Sequence, residues 1–253
     1  MRFLSLGSGS RGNATLVEGG GARVLVDCGF AAREAERRLA EVGVSPKELD
    51  AILVTHEHGD HVRGVGTLGA RFGIDVWTTP GTWRQAGGSE TQGLRLFSGH
   101  RGSFRIGDMR VTPFPVPHDA REPCQFVFEC DGLRLGMLTD AGHVTSHVLD
   151  LLRECDALMI ECNHDRDMLR RGPYPPSLRA RVGGKFGHLS NDQAAELLAS
   201  LPLERIRHLL VAHISAKNNC SKLLRETLLA VSADIERRLT LADQDRPGPW
   251  LEL

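Results

Sequence analysis

The chain has 253 residues, 41% of them hydrophobic and 25% charged, with a formal net charge of −1. This is the make-up of a soluble globular protein long enough to bury its core without disulfide staples. It lacks the basic surplus of a protein that grips extended duplex nucleic acid, and no apolar stretch approaches the ~20 residues that span a bilayer.

Met1 to Leu6, Ala14 to Glu18 and Ala22 to Asp27 read as three short strands. Gly19-Gly20-Gly21 forms a tight hairpin between the last two. The loop Gly7 to Asn13, with Ser8 and Ser10, is either a plain flexible turn or a nest of N–H groups and hydroxyls for an anion. Ala31 to Val42 carries helical apolar spacing. Ala51-Ile52-Leu53-Val54 is a buried strand, followed by a helix from about Asp60 to Phe72. Asp75 to Thr78 is a strand and Pro80 starts a short helix. Gly87 to Ser103 is Gly-rich and polar and reads as loop. Arg110 to Val116, Gln125 to Glu129 and Leu133 to Thr139 form a second set of strands, followed by a helix over Val144 to Arg153. Ala157 to Glu161 and Ile206 to Val211 are further strands, and Asn191 to Leu201 and Ser221 to Val231 are amphipathic helices. Two strand-rich halves, each finished by helices, predict an α/β sandwich with layers αββα. No linker or low-complexity tract interrupts it, so residues 1–253 are expected to form one domain.

Six cysteines include no C-x-x-C pair and are expected to be buried free thiols. The N-terminus has no basic region followed by a long apolar run, which points to the cytoplasm.

The segment Thr55-His56-Glu57-His58-Gly59-Asp60-His61 sits at a strand's carboxyl end, where α/β folds place their sites. His56 and His58, two apart in an extended loop, project to one side, and Glu57 points away from them. Asp60 and His61 follow as the chain turns and can face a second position. One metal takes three or four protein ligands, so four good donors here and others downstream imply two. The spacing differs from a helical His-Glu-x-x-His, and the alternative is a polar helix-entry loop capped by Asp60.

Asp27, the Thr55 to His61 segment, His118, Asp140 and His213 resemble the successive motifs of the metallo-β-lactamase superfamily, nearly end to end. Gly7 to Asn13, Pro117-His118-Asp119-Ala120, Asn163-His164-Asp165, Gly172-Pro173-Tyr174-Pro175 and Gly187-His188-Leu189-Ser190-Asn191 resemble its YycJ/WalJ-type branch. Members of that branch are metal-dependent DNA exonucleases or related phosphodiesterases. The resemblance implies a four-layer αββα sandwich of two mixed β-sheets flanked by helices.

It also implies a first metal site of His56, His58, His118 and Asp140, and a second of Asp60, His61, His213 and the same Asp140. On its own, a carboxylate at Asp140 would often cap the helix that begins near Val144. Asp27 is expected to orient a histidine rather than bind metal. The donors, all imidazole and carboxylate, suit zinc, manganese or iron. Two ions about 3.5–4 Å apart share a hydroxide and stabilise an in-line displacement, and Asp60 can also hold the nucleophile. Ser190 or Asn191 caps the helix after Gly187. Ser8, Ser10, Asn13 and Ser190 are expected to face a substrate phosphate, and His188 or His164 to supply a proton to the leaving oxygen.

The expected activity is that of a dinuclear phosphodiesterase, a 5′-to-3′ exonuclease on DNA ends. The alternative is a thioester, lactone or β-lactam hydrolase on the same fold. The sequence points to no membrane partner and leaves monomer and dimer equally open.

Overall fold

In the computed structural model, which describes residues 1–87 and 93–253, fourteen strands form two sheets. The first half of the chain supplies β1 (Arg2–Gly7), β2 (Ala14–Gly19), β3 (Ala22–Val26), β4 (Ala51–Leu53), β5 (Asp75–Thr78) and β6 (Leu94–Leu96). The second half supplies β7 (Phe104–Ile106), β8 (Met109–Pro115), β9 (Cys124–Cys130), β10 (Leu133–Leu138), β11 (Ala157–Glu161), β12 (His208–Ala212) and β13 (Leu239–Leu241). The closing strand β14 (Leu251–Glu252) returns to the first sheet, whose order is β14-β1-β2-β3-β4-β5-β6. The second sheet runs β13-β12-β11-β10-β9-β8-β7. Each sheet is mixed: β3 to β6 and β10 to β13 pair in parallel, and the remaining pairs are antiparallel.

Three apolar clusters fix the layering. Phe3, Val24, Leu53, Phe126, Phe128, Met137 and Met159 pack between the sheets. The outer face of the first sheet buries Leu16, Leu25 and Ile52 against Ala35 and Leu39 of α1 (Ala32–Glu41) and Leu68 of α3 (Val65–Phe72). The outer face of the second buries Leu158, Ile160 and Val211 against α5 (Ser146–Leu152), α8 (Asn191–Ala199) and α9 (Ser221–Leu229). Strands covered on both faces read as continuous apolar runs, which is why β4, β11 and β12 stand out in the sequence.

Several elements differ from the sequence reading. The short helix expected at Pro80 is α4 (Pro80–Gln85), but the helix expected from Asp60 to Phe72 is two, α2 (Gly59–Val62) and α3. Gly64 separates them; a Cβ there would lie 2.2 Å from the Phe30 carbonyl oxygen, and its N–H donates to the Cys28 carbonyl at 2.8 Å. This backbone approach turns the chain and admits only glycine. The expected loop from Gly87 to Ser103 contains β6, whose Leu-Arg-Leu alternation extends the sheet from β5; residues 88–92 of that loop lie outside the described residues. Strands β7, β13 and β14 and the helices α6 (Arg166–Arg171) and α7 (Pro176–Val182) are too short to show in the periodicity of the sequence. The two helices do carry start signals: the Asp165 side chain accepts from Met168 N–H, and proline opens α7. Of the cysteines, Cys220 is exposed and the other five are buried and free. Burial pushes the Cys28 and Cys155 thiols up to about 12, so they pack as apolar groups.

Phe126 is fully buried between the sheets. Phe126→Ala is expected to cost about 3–5 kcal/mol, read as a lower urea midpoint. A loss below about 1 kcal/mol would show that the inter-sheet layer collapses around the cavity.

Candidate metal centre

The site lies where both sheets end, beyond the carboxyl ends of parallel strands. His56 and His58 follow β4, Asp140 follows β10, Glu161 ends β11 and His213 follows β12. Asp27 (φ 61°), Asp140 (φ 53°) and His213 (φ 51°) adopt left-handed backbone conformations. Non-glycine residues seldom do so, at a cost on the order of 1 kcal/mol or more each. The turn bends each chain sharply off its strand and aims the side chain across the sheet ends.

Among the described residues four overlapping groups of donors meet there, one of them Asp140, Glu161, His188 and His213, and two of the others correspond to the two sites expected from the sequence. In the first, His58 Nδ1 lies 3.0 Å from His56 Nε2 and 3.3 Å from His118 Nε2. The other nitrogens of His56 and His118 are engaged. The Thr55 hydroxyl donates to Asp27 Oδ2 at 2.8 Å, so its oxygen accepts from His56 Nδ1 at 3.0 Å. His118 Nδ1 donates to the Gly187 carbonyl at 3.0 Å. Those partners place the protons on Nδ1 and leave Nε2 lone pairs pointing inward. Burial drives the His56 pKa well below the ordinary value and lowers that of His118. Facing lone pairs that resist protonation repel unless a cation lies among them.

The second group is Asp60, His61 and His213. His61 Nδ1 donates to Asp27 Oδ2 at 2.7 Å, which frees Nε2. His61 Nε2 lies 3.6 Å from Asp60 Oδ2 and 3.5 Å from Asp140 Oδ2, and His213 Nε2 lies 3.5 Å from Asp60 Oδ2 and 3.4 Å from Asp140 Oδ1. Asp140 also reaches toward His118 Nε2, at 4.0 Å, and so stands between the groups. Asp140 Oδ2 and His213 Nε2 are buried without hydrogen-bond partners among the described residues. Orphaned buried donors and acceptors are costly, and a divalent ion satisfies both. The residues present therefore fit a metal centre built from nitrogen and oxygen.

Asp27 and Thr55 form the lower tier. Asp27 accepts from Thr55 N–H at 2.8 Å and fixes His61 directly. Ser8 and Asn13, expected to face substrate, lie beneath the donors instead and bond to them. Ser8 Oγ donates to Asn13 Oδ1 at 2.9 Å and accepts from His213 N–H at 2.9 Å. Asn13 Nδ2 reaches Asp60 Oδ2 at 3.3 Å and His61 Nε2 at 3.2 Å. Gly29 makes the close approach possible, since a Cβ there would meet the Asp60 carbonyl oxygen at 1.7 Å. Glu57 turns away, as expected, and accepts from Arg121 N–H at 2.6 Å.

A cleft of about 380 Å³ opens above the donors, lined by Ser10, His58, Asp60, Asp140, His188 and His213, with Tyr174, Leu178 and Arg181 on one wall. His188 belongs to it. Its Nδ1 lies 3.1 Å from Glu161 Oε2, and its ring stacks on His213 at 5.0 Å. Ser190 does not: it is buried and caps α8, accepting from Gln193 N–H at 3.2 Å. His164 is also elsewhere, in a separate cavity with Arg166, Arg170 and Arg179. Sequence reasoning missed Glu161, whose Oε1 accepts from Ala141 N–H at 2.8 Å and Leu189 N–H at 3.0 Å. The signal was an acid closing the apolar run Ala157 to Ile160. Asp119 was also missed; it lies 3.4 Å from His118 Nε2 and pairs with Arg181.

A family profile described as a β-lactamase superfamily domain matches residues 22–214. The exodeoxyribonuclease WalJ of Streptococcus pneumoniae is 34% identical over 90% of this chain and 87% of its own length. The chain belongs to the metallo-β-lactamase superfamily. Within the superfamily it is similar also to the exodeoxyribonuclease YycJ of Bacillus anthracis, at 33% identity over 94% of this chain and 90% of the relative. The fold matches the metallo-β-lactamase fold protein YhfI from Bacillus subtilis, with a TM-score of 0.75 at 16% identity and 98% of each chain covered.

Burial alone would lower the two histidines of the second group. The carboxylates around them together outweigh it, Asp140 at both rings with Asp27 at His61 and Asp60 at His213, and raise them to about 10 and about 9. Both rings therefore carry protons at neutral pH in the metal-free chain, and metal must displace them. Metal affinity should strengthen as pH rises toward about 9. Calorimetry at pH 7 in buffers of different ionisation enthalpy should report protons released on binding. A pH-independent affinity would contradict the assignment of His61 and His213 as ligands.

Proposed function

We propose that this chain, residues 1–253 acting as one unit in the cytoplasm, is a dinuclear metal-dependent phosphodiesterase that degrades DNA from its ends, in the 5′-to-3′ direction. The observation that carries the reading is the pair of donor groups joined by Asp140 on the floor of an open cleft, together with the two exodeoxyribonuclease relatives that align over nearly the whole chain. The cleft wall carries Arg181, His188 and hydroxyl groups, which suits an anionic phosphodiester better than a neutral thioester or lactam.

In this reading His56, His58 and His118 hold one divalent ion, Asp60, His61 and His213 hold a second, and Asp140 serves both. When bound, zinc, manganese or iron supplies positive charge for both the attacking and the departing oxygen at phosphorus. The protein's own groups do the rest. Asp60, whose carboxyl the His213 contact and the nearby His61 charge hold below the usual range despite burial, orients an attacking water by accepting its hydrogen bond. Arg181, paired with Asp119 at the cleft wall, meets a phosphate oxygen. His188 is oriented by Glu161 through Nδ1, which leaves Nε2 to give a proton to the leaving oxygen.

Asp140→Ala should lower metal content from about two equivalents at both sites, since one carboxylate serves each. Elemental analysis that finds one full equivalent, unchanged by the substitution, would overturn the dinuclear arrangement. His188→Ala should keep its metal and lose about 10²–10⁴-fold in turnover of oligonucleotide. A nitrophenyl diester, whose leaving group needs little protonation, should lose much less. Equal losses on both substrates would replace proton donation with phosphate binding. Strong thioester turnover without phosphodiester cleavage would overturn the proposed function itself.

A further inference from the structure

The separate cavity around His164 has no role in the chemistry above. It measures about 530 Å³ and is lined by His164, Arg166, Arg170 and Arg179, with Leu169 and Gly183. His164 is 2% exposed, and its Nδ1 is buried with no hydrogen-bond partner. An unmet buried nitrogen of this kind, without a partner among the described residues, is costly. The three guanidiniums are only partly engaged. Arg166 reaches Ser190 Oγ at 3.2 Å and Asp192 at 3.4 Å, Arg170 reaches Asp167 at 2.8 Å, and Arg179 donates to the Arg170 carbonyl. Each guanidinium has five N–H donors, and exposed pairs such as these are weak competitors. A basic rim around a polar, unsatisfied base is a receptor for an anion with several acceptor oxygens.

The position of the cavity says which anion. Helix α7 is the wall between cavity and cleft: it gives Leu178, Arg181 and Val182 to the cleft, and Arg179 and Ala180 to the cavity, with Gly183 just past its end. A helix with its side chains is about 10 Å across. Phosphates in a strand recur every ~3.4 Å of helix axis, so a strand with its end in the cleft reaches the cavity within a few nucleotides. We infer that this cavity is a second phosphate-binding site, which holds a backbone phosphate of the strand whose end occupies the cleft. The inference rests on the proposed nucleolytic function for the identity of the strand. The arginines supply the charge, and His164, in the cavity lining, supplies a hydrogen bond. Burial holds the His164 pKa down to about 4, so the neutral ring donates through one nitrogen. The residue singled out in the sequence as a possible acid thus becomes a positioning residue for the strand.

The test compares the metal-loaded protein with an Arg170→Gln/Arg179→Gln double variant and with His164→Leu. Substrates are a single strand of about twelve nucleotides, a dinucleotide and a nitrophenyl diester. Binding of a fluorescent strand is read separately by anisotropy at several salt concentrations. The double variant should leave turnover of the nitrophenyl diester and the dinucleotide unchanged. It should raise KM and Kd for the long strand by about tenfold or more, and reduce the salt slope by about 0.7, the share of one neutralised phosphate on a single strand. His164→Leu should weaken long-strand binding with the salt slope unchanged, which a diffuse basic surface would not produce. Long-strand Kd and salt slope at the wild-type values in the double variant would overturn the inference, whatever the folding of His164→Leu. If no phosphodiester is cleaved and the double variant still loses strand binding, the proposed function falls and the phosphate site stands. A loss that is equal for dinucleotide and long strand would place the arginines in the cleft's own subsite and overturn the inference.

Discussion

The arrangement turns on three imidazoles: His58 Nδ1 lies 3.0 Å from His56 Nε2 and 3.3 Å from His118 Nε2, and the latter two turn their lone pairs inward. Nothing in protein packing favours that contact, and burial removes the easy remedy of a proton. It persists because the rest of the fold over-determines it. Thr55, Asp27 and the Gly187 carbonyl each take the outward nitrogen of a ring or the group that holds it. Those partners are in turn fixed by β3, β4 and the loop before α8. The centre is thus a place where both sheets agree: one gives the His56 to His61 segment, the other His118, Asp140 and His213. An ion there joins parts of the chain that are far apart in sequence, so metal binding and sheet packing share one free energy.

Around this the polar groups form two further tiers. Asp27 serves Thr55 and His61 together, so one carboxylate sets the rotation of a ligand in each donor group. Glu161 plays the matching part on the other sheet by tying the turns at Ala141 and Leu189 and the His188 ring to the end of β11. Both are buried carboxylates with several donors each, the condition under which burying a charge is tolerable. The loop from Gly7 to Asn13 belongs to the same scheme: its glycines let backbone approach backbone, and its polar side chains brace ligands from below.

Much of this was legible in the sequence because it is local. The strand before His56 is an apolar run, and the two-residue spacing of His56 and His58 is geometry within one loop. Buried strands β11 and β12 and helices α1, α8 and α9 follow from periodicity alone. What stayed hidden depends on partners distant in sequence. Nothing near Ser8 announces that its hydroxyl meets the His213 N–H. Ser190 and His164 lie in polar motifs, yet one caps a helix and the other faces a different cavity. The break at Gly64 reflects an approach to Phe30, and β6 forms because β5 offers an edge. Helices of six or seven residues, such as α6 and α7, are too short for a periodic signal.

The left-handed backbone at Asp27, Asp140 and His213 sets the direction in which this sequence can drift. Glycine or asparagine would occupy those positions with less strain, so each is a site where a single change relaxes the backbone while removing a side chain from the centre. At Asp27 that relief is offset, because a glycine would leave the buried Thr55 and His61 donors without their acceptor. At Asp140 no such structural hydrogen bond compensates, since its Oδ2 is unpartnered among the described residues, so this position holds a strained backbone and an unmet charge that the two-sheet scaffold itself does not need.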